Sequence, residues 1–265
     1  MSLIPIFDPE KAGRPMRVAA FMSGSGTNIM KLMEHEKRLK KGKNSPPFEV
    51  VFIFSDRSDG GSAGEQIALK NGLPYFSYDI RAFHRLKSLK RTVRTSDGLA
   101  ARREYDRVAK KLVKTFEIDL IALGGYMSYT TLNRCVNVHP ANLSIRTPDG
   151  KRKYIGDNAV YDAVSAGESR LRASTLWIDE GVDSGPLLMV SNPIRVELPE
   201  PLEDLARNKK RLFEISKQHQ ERLKEAGDWK IFPRTIEMIA DGRFALNEDN
   251  HVYVDGLYVP NGYRE

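Results

Sequence analysis

The strongest constraint on the fold is an alternation of short, almost unbroken apolar runs with stretches at helical spacing. The apolar runs predict strands over residues 16–22, 48–54, 74–78, 119–123 and 135–138. Helical spacing occurs between them at residues 29–39, 62–71 and about 100–116. Because strands without polar alternation are typically buried on both faces, we predict an α/β fold with a doubly wound, mostly parallel sheet.

This alternation loosens beyond residue 140 and is absent from the first fifteen residues. Pro148-Asp149-Gly150 is typical of a hairpin turn. Later elements are expected as helices over residues 157–166 (capped by Asp157 or Asn158), 202–226 and 231–239, strands over 171–178 and 186–190, and a small C-terminal β extension over 244–246 and 251–258. Residues 1–15, rich in proline, predict an irregular N-terminal extension. We expect residues 16–265 to form a single domain with halves at 16–140 and 141–265.

Composition narrows the class of protein. The chain has 265 residues, of which 40% are hydrophobic, so it can bury enough apolar surface to fold. Its apolar runs are shorter than the roughly 18 residues that a membrane span needs, and its first residues do not resemble a secretory signal. The single cysteine, Cys135, excludes an intrachain disulfide and a thiolate metal cluster. We expect a cytoplasmic protein with no membrane partner, whose net charge of +7 favours anionic ligands.

A glycine-rich loop follows the first of these predicted strands. It contains Gly24, Ser25, Gly26, Thr27 and Asn28, and its backbone N–H groups at the start of a helix would suit a phosphate. The loop is not a Walker loop, because no lysine follows the second glycine. It also departs from the dinucleotide-binding fingerprint, because residue 29 is isoleucine instead of the third glycine. A plain tight turn between strand and helix is the alternative.

Three polar residues suit acid–base chemistry. Asn137 and His139 alternate on one predicted strand, so both side chains project from the same face at its carboxyl end, where open α/β sheets bind ligands. Asp183 lies in a turn that would hold a carboxylate near them. An amide, an imidazole and an orienting carboxylate suit acyl transfer to an amine. The alternative for His139 is a structural or merely exposed residue.

Four motifs resemble those of the folate-dependent formyltransferases in order and spacing. They are Ser23-Gly24-Ser25-Gly26-Thr27-Asn28, Gly124-Gly125-Tyr126-Met127, Asn137-Val138-His139-Pro140 and Asp183-Ser184-Gly185-Pro186. The resemblance extends from about residue 16 to residue 256 and is closest to the branch that formylates glycinamide ribonucleotide in purine biosynthesis. It implies a Rossmann-like, formyltransferase-like fold. It also implies formyl transfer from 10-formyltetrahydrofolate, as co-substrate, to the primary amine of a phosphorylated small molecule.

The resemblance implies a role for each matching residue. Asn137 would hydrogen-bond the formyl oxygen, His139 would assist proton transfer, and Asp183 would orient His139 and favour its cationic form. The glycine loop, with Arg102 or Arg103, would hold the substrate phosphate, and Asp228 would lie near the ribose. The folate pocket would be lined by Tyr126, Met127, Ser128, Tyr129, Ile178 and Asp179. The amine itself is the nucleophile, so neither an enzyme nucleophile nor a metal is needed.

The sequence departs from the family in two segments. Residues 141–156 lack the family's Leu-Leu-Pro and Pro-Gly landmarks and carry an apparent insertion, with Gly156 as the remaining landmark. Ser128 replaces the arginine that follows the methionine in the family. Because residues 141–156 would frame the amine, another acceptor such as an amino-sugar nucleotide is the alternative. A non-catalytic binder of folate or of a phosphorylated metabolite, and a nicotinamide-dependent oxidoreductase, are the alternatives from other classes.

Two basic segments, residues 37–43 and 207–211, raise the question of nucleic-acid binding. In the predicted helix over residues 202–226, glutamates intersperse with the bases and apolar residues recur at helical spacing. No aromatic stacking platform accompanies them. A solvated helix face is therefore favoured over nucleic acid, small molecules are the expected partners, and a homodimer is left open.

Overall fold

The computed structural model describes residues 2–42 and 45–265, and these residues divide into two compact units. The N-terminal unit is Phe7–Asn137. The C-terminal unit combines Val138–Glu265 with the described residues up to Ile6. Lys43, at the end of the first basic segment, lies outside the described residues.

The strands in chain order are β1 (Ile4–Pro5), β2 (Met16–Met22), β3 (Phe48–Ser55), β4 (Tyr75–Ser77), β5 (Leu120–Leu123), β6 (Cys135–His139), β7 (Arg170–Leu171), β8 (Ser174–Trp177), β9 (Leu187–Val190), β10 (Ile194–Arg195), β11 (Phe244–Leu246), β12 (Val252–Val254) and β13 (Leu257–Tyr258). The helices are α1 (Pro9–Ala12), α2 (Thr27–Gly42), α3 (Gly64–Asn71), α4 (Ile80–Leu86), α5 (Ser96–Thr115), α6 (Ala159–Ser165), α7 (Leu202–Arg207), α8 (Lys209–Leu223) and α9 (Trp229–Ala240). A π-helical turn, Lys224–Asp228, joins α8 to α9.

The N-terminal unit is built on a parallel sheet with helices between its strands. The strand order is β4-β3-β2-β5-β6, and every neighbouring pair is parallel. β2 is central, and its residues Val18 and Phe21 are fully buried, as expected of a strand covered on both faces. The predicted mostly parallel α/β sheet is therefore confirmed. Its parallel direction places the carboxyl ends of β2, β3, β5 and β6 at one edge.

The C-terminal unit contains antiparallel strands. β8 pairs with β9, β7 pairs with β10, and β11, β12 and β13 form a meander. The predicted small C-terminal β extension is confirmed. None of the described helices is both long and apolar enough to cross a membrane.

The first fifteen residues contain regular structure, which corrects the prediction of an irregular extension. β1 pairs with β11 in an antiparallel register. In α1 the Asp8 side chain accepts a hydrogen bond from the backbone N–H of Lys11, and Gly13 ends the helix in the left-handed conformation. The sequence signal for β1 is weak because its pairing partner lies at the opposite end of the chain.

Two helix predictions are also corrected. The single helix over residues 202–226 is interrupted at Asn208, whose side chain accepts a hydrogen bond from the backbone N–H of Arg211 and thereby starts α8. Asn158 precedes α6 but its side chain makes no capping hydrogen bond. The helix α4, absent from the sequence prediction, starts at Asp79, whose side chain accepts from the N–H of Ala82.

The different burial of Ile4 and Ile6 predicts that Ile6 contributes to stability and that Ile4 does not. Ile6 is 6% exposed and its N–H donates to the Phe244 carbonyl, whereas Ile4 is 62% exposed. Ile6→Ala should lower the free energy of unfolding by about 2–4 kcal/mol, and Ile4→Ala by about 0.5 kcal/mol or less. Urea denaturation of both variants measures this. Equal, small effects would mean that the N-terminal residues do not belong to the C-terminal unit.

Candidate active site

The glycine loop lies at the carboxyl end of β2 and leads into α2. Gly26 has a φ of +67°, and a Cβ on it would lie 2.6 Å from atoms of the Met22 and Ile67 side chains, so the turn requires glycine there. The N–H of Ser23 donates to the Gly125 carbonyl at 3.0 Å. The N–H of Met127 donates to the Ser23 hydroxyl at 2.9 Å. These bonds bring two of the four sequence motifs together at one sheet edge.

The glycine loop carries several polar atoms that are available to contact a ligand. Ser25 is exposed, its hydroxyl lies 3.1 Å from that of Thr27, and Gly24 is half-buried. Asn28 Oδ1 is buried without a hydrogen-bond partner among the described residues. Such an atom is costly unless a ligand or a water molecule donates a hydrogen bond to it, and phosphate binding by this loop stays a prediction.

The position of the absent third glycine is occupied by a buried side chain. Ile29 is fully buried, and its Cδ1 lies 2.3 Å from where a Cβ on Gly124 would be. Helix α2 can therefore approach the segment after β5 because Gly124 has no side chain, and no glycine in the helix is needed. This packing differs from that of a dinucleotide-binding turn, in which the third glycine makes the approach.

Arg102 and Arg103, both expected near the phosphate, have opposite environments in α5. Arg102 is 2% exposed, and its Nη2 lies 2.9 Å from Asp106 Oδ1 and donates to the Tyr126 hydroxyl at 3.0 Å. The Thr131 N–H and hydroxyl donate to Asp106 Oδ2 at 2.7 and 2.8 Å. Arg103 is exposed. Arg102 thus belongs to a buried ion pair, and phosphate binding by either arginine stays a prediction.

The residues expected around the folate fall in two segments. Tyr126 and Ser128 are buried, Tyr129 and Ile178 are half-buried, and Met127 and Asp179 are exposed. Burial is the main cause that raises the pKa of Tyr126, with Arg102 opposing it, so its hydroxyl stays protonated. Asp179 Oδ1 accepts from the Gly181 N–H and the Ser184 hydroxyl. Folate binding by these residues stays a prediction.

Sequence reasoning missed Asp56, which directly follows β3. Asp56 is 3% exposed and accepts a short hydrogen bond from the Ser128 hydroxyl. The serine that replaces the family's arginine is therefore held by a buried carboxylate. The available signal was position alone, a polar residue at the carboxyl end of a buried parallel strand.

The C-terminal unit brings His139 and Asp183 together. His139 Nδ1 lies 3.7 Å from Asp183 Oδ2, and that oxygen accepts from the Gly156 N–H at 3.0 Å. His139 is 7% exposed, and its Nε2 has no hydrogen-bond partner among the described residues. Asn137 precedes it by two positions on β6, so its side chain leaves the strand on the same face. Asp183 thus faces one ring nitrogen, and the catalytic role of the three side chains stays a prediction.

The protonation of His139 is set mainly by burial. Burial lowers the pKa of His139 below its ordinary value, and this effect outweighs Asp183, which raises it. Hydrogen bonding to the main chain of Tyr154 and the charge of Asp157 also raise this pKa, while the charge of Arg152 lowers it. Asp183 therefore favours the cation as expected, but the net result is an imidazole that is neutral at neutral pH.

Segment 141–156, where the sequence departs from the family, folds back on itself. Arg146 and Arg152 form an antiparallel bridge across the Pro148-Asp149-Gly150 turn, and the Gly150 N–H donates to the Thr147 carbonyl. The predicted hairpin turn is confirmed. Arg152 Nη2 donates to the Gly185 carbonyl at 2.6 Å, and its Nη1 donates to the Asp183 carbonyl.

Two further candidates are buried. Asp228 is 2% exposed at the end of the π-helical turn, and its contact with a ribose stays a prediction. Cys135 is fully buried in β6, and burial raises the pKa of its thiol, which is the opposite of what a nucleophile requires. Cys135 is therefore a core residue of β6. Phe232 is also fully buried, whereas Trp229 is half-buried.

Comparison with known proteins defines the class. Residues 16–212 match the family model described as formyl transferase, and the chain belongs to that family. The trifunctional purine biosynthetic protein adenosine-3 of Drosophila melanogaster is 27% identical over 244 residues, which are 89% of this chain and 15% of that protein. The chain thus spans only a small part of that relative's length.

Two other similar proteins match this chain over nearly the full length of both chains. A phosphoribosylglycinamide formyltransferase of Haemophilus influenzae is 23% identical over 257 residues, 93% of this chain and 98% of that protein. The solved structure of phosphoribosylglycinamide formyltransferase from Coxiella burnetii, in complex with CHES, has a TM-score of 0.64 at 22% identity. It covers 95% of this chain and 99% of its own. This likeness shows the formyltransferase fold.

The environment of His139 predicts its titration. The imidazole should titrate below the ordinary histidine pKa of about 6.5, because burial destabilises the cation. Asp183→Asn should lower that pKa further, since the contact that stabilises the cation is removed. Nuclear magnetic resonance of isotope-labelled histidine, assigned with His139→Gln, measures both values. A rise in the His139 pKa in Asp183→Asn would contradict this geometry.

The buried ion pair predicts unequal effects of the two neighbouring arginines on stability. Arg102→Met should lower the free energy of unfolding by about 3–5 kcal/mol, because it leaves the Asp106 charge buried without its partner. Arg103→Met, at an exposed position, should change it by about 0.5 kcal/mol or less. Chemical denaturation of both variants checks this, and a stable Arg102→Met variant would show that the pair is not essential to the unit.

Proposed function

We propose that this protein transfers a formyl group from 10-formyltetrahydrofolate to the primary amine of glycinamide ribonucleotide. Membership of the formyl transferase family and the similarity to the Haemophilus influenzae protein over nearly the full length of both chains support this. The observation that carries it is the buried His139, two positions after Asn137 on β6, with Asp183 on its Nδ1 side. Its Nε2 has no hydrogen-bond partner within residues 2–42 and 45–265.

The chemistry follows from these three side chains. The amine nitrogen attacks the formyl carbon, and the carbonyl electron pair moves to oxygen, where the Asn137 amide N–H would stabilise the negative charge. Neutral His139 takes the proton that the amine loses and delivers it to the folate nitrogen as the carbon–nitrogen bond breaks. Asp183 stabilises the imidazolium during this step. The products are the formylated amine and tetrahydrofolate.

Substrate binding completes the proposal. The residues of the glycine loop, Gly24, Ser25, Gly26, Thr27 and Asn28, would hold the phosphate through backbone N–H groups and the hydroxyls of Ser25 and Thr27. Arg103 is exposed and free to reach an anion, whereas Arg102 would act from within its ion pair. Asp228 would contact the ribose. Residues 126–129 with Ile178 and Asp179 would line the folate pocket. A cytoplasmic location stays a prediction of the sequence, which leaves a homodimer open.

An amino-sugar nucleotide is the second candidate acceptor. The divergent hairpin carries Lys151 and Lys153, whose side chains are exposed. Such cations would favour an acceptor with more negative charge than one phosphomonoester.

The test is a turnover assay that follows tetrahydrofolate release. Asn137→Ala, His139→Ala and Asp183→Ala should each reduce turnover, with His139→Ala lower by about 100-fold or more, the scale of a lost general acid–base. His251→Ala is the matched control, because His251 is an exposed histidine that directly precedes β12. It should be fully active.

The assay is run with glycinamide ribonucleotide, with an amino-sugar nucleotide and without any amine, and the three reactions distinguish the possible functions. Release that requires glycinamide ribonucleotide supports the proposal, and release that requires an amino-sugar nucleotide instead replaces the acceptor. Release without any amine would show hydrolysis of the donor and contradict transfer. Tight folate binding without turnover would select the non-catalytic alternative.

A further inference from the structure

We propose that Arg152 is a positioning residue whose guanidinium fixes the turn that carries Asp183 and so keeps the Asp183 carboxylate against His139. The inference rests on the formyl transfer proposed above, because that reaction gives the His139–Asp183 pair its task. The inference goes beyond that reaction because it assigns a role to Arg152, a residue in the segment where the sequence departs from the family.

The guanidinium of Arg152 bridges two carbonyl groups of one turn. Nη1 donates to the Asp183 carbonyl, and Nη2 donates to the Gly185 carbonyl at 2.6 Å. The planar, forked donor set of arginine can satisfy two acceptors at a fixed spacing, which a lysine ammonium does not match. Arg152 is half-buried, so these hydrogen bonds are partly shielded from water.

The turn has a backbone conformation that needs such support. Asp183 has a φ of 51°, in the left-handed region that a residue with a Cβ adopts at a cost. The turn also packs closely against the end of β8, since a Cβ on Gly185 would lie 1.8 Å from the Trp177 carbonyl oxygen. A second restraint comes from Ser184, whose hydroxyl donates to Asp179 Oδ1 at 2.6 Å.

The same segment also holds the side-chain end of Asp183. The Gly156 N–H donates to Asp183 Oδ2 at 3.0 Å, and the main chain of Tyr154 is hydrogen-bonded to His139. The Tyr154 hydroxyl donates to Glu168 Oε1 at 2.6 Å, which anchors the segment beyond the hairpin. Asp183 is therefore held at its carbonyl by Arg152 and at its carboxylate by Gly156. Loss of either should let the carboxylate move from His139.

The experiment compares Arg152→Met with Arg146→Met. Arg146 is the matched control, because it pairs with Arg152 across the hairpin but its Nη1 donates within the turn, to the Gly150 carbonyl. Arg152→Met should lower kcat about tenfold, with KM for both substrates within about twofold and the melting temperature close to that of Arg146→Met. Arg152→Lys should recover part of the loss, because an ammonium can reach one carbonyl at a time.

A double-variant cycle separates positioning from a general structural effect. If Arg152 acts through Asp183, then Arg152→Met should cause little further loss of kcat in the Asp183→Asn background. A full tenfold further loss there would overturn the proposal.

A readout without turnover keeps this inference separate from the proposed function. In the parent, Asp183→Asn should lower the His139 pKa measured by nuclear magnetic resonance. In the Arg152→Met background the same substitution should shift it less, because the carboxylate is no longer held near the ring. An unchanged shift would overturn the role of Arg152 whatever the reaction is. An inactive parent protein that shows the reduced shift would overturn formyl transfer alone. Arg152→Lys serves both readouts if Arg152→Met does not fold.

Discussion

The contact between Asp183 and His139 is the interaction on which the proposed chemistry depends. Burial disfavours the imidazolium that must form when His139 accepts a proton, and the carboxylate at 3.7 Å offsets part of that cost. The resting imidazole is thereby neutral and ready to accept a proton, while its protonated form stays accessible. A buried carboxylate requires partners of its own, and the Gly156 N–H supplies one. The geometry of the pair therefore depends on segment 141–156, which supports Asp183 from both ends.

A second buried charge pair has a different task. Arg102 and Asp106 connect helix α5 to the polypeptide that follows β5, through the Tyr126 hydroxyl and the backbone of Thr131. The side chains of Arg102 and Asp106 are buried, so the loss of either one would leave the other charge uncompensated. The pair thus fixes the segment that carries the expected folate residues, although its arginine was expected at the phosphate. For Arg102, the residue type and the position in the motif suggested contact with a ligand. Its tertiary environment shows that its charge is already paired with Asp106.

Much of the fold follows from local sequence patterns, because strands buried on both faces and helices between them leave strong periodic signals. The bounds of strand β2 were predicted in full, whereas α2 starts at Thr27, within the predicted loop. The pairing of β1 with β11 was not, since it joins opposite ends of the chain and neither partner has a local signal for the other. The break at Asn208 was missed because the charged pattern is continuous, while a side chain that competes for backbone hydrogen bonds starts a new helix there. In the site, the strand pattern places Asn137 with His139. Asp56 had only its position at the end of β3 as a sequence signal, and Arg152 had none, because its contacts join residues distant in sequence.

The most direct test of the central claim is the fate of the formyl carbon. With 10-formyltetrahydrofolate labelled with carbon-13 in the formyl group, glycinamide ribonucleotide and the parent protein, carbon-13 resonance follows the label as it leaves the donor. The account predicts that the label appears as a formamide carbon on the glycinamide nitrogen, and that it stays on the folate in His139→Ala. Label released as formate, or label retained on the folate by the folded parent protein, would contradict it.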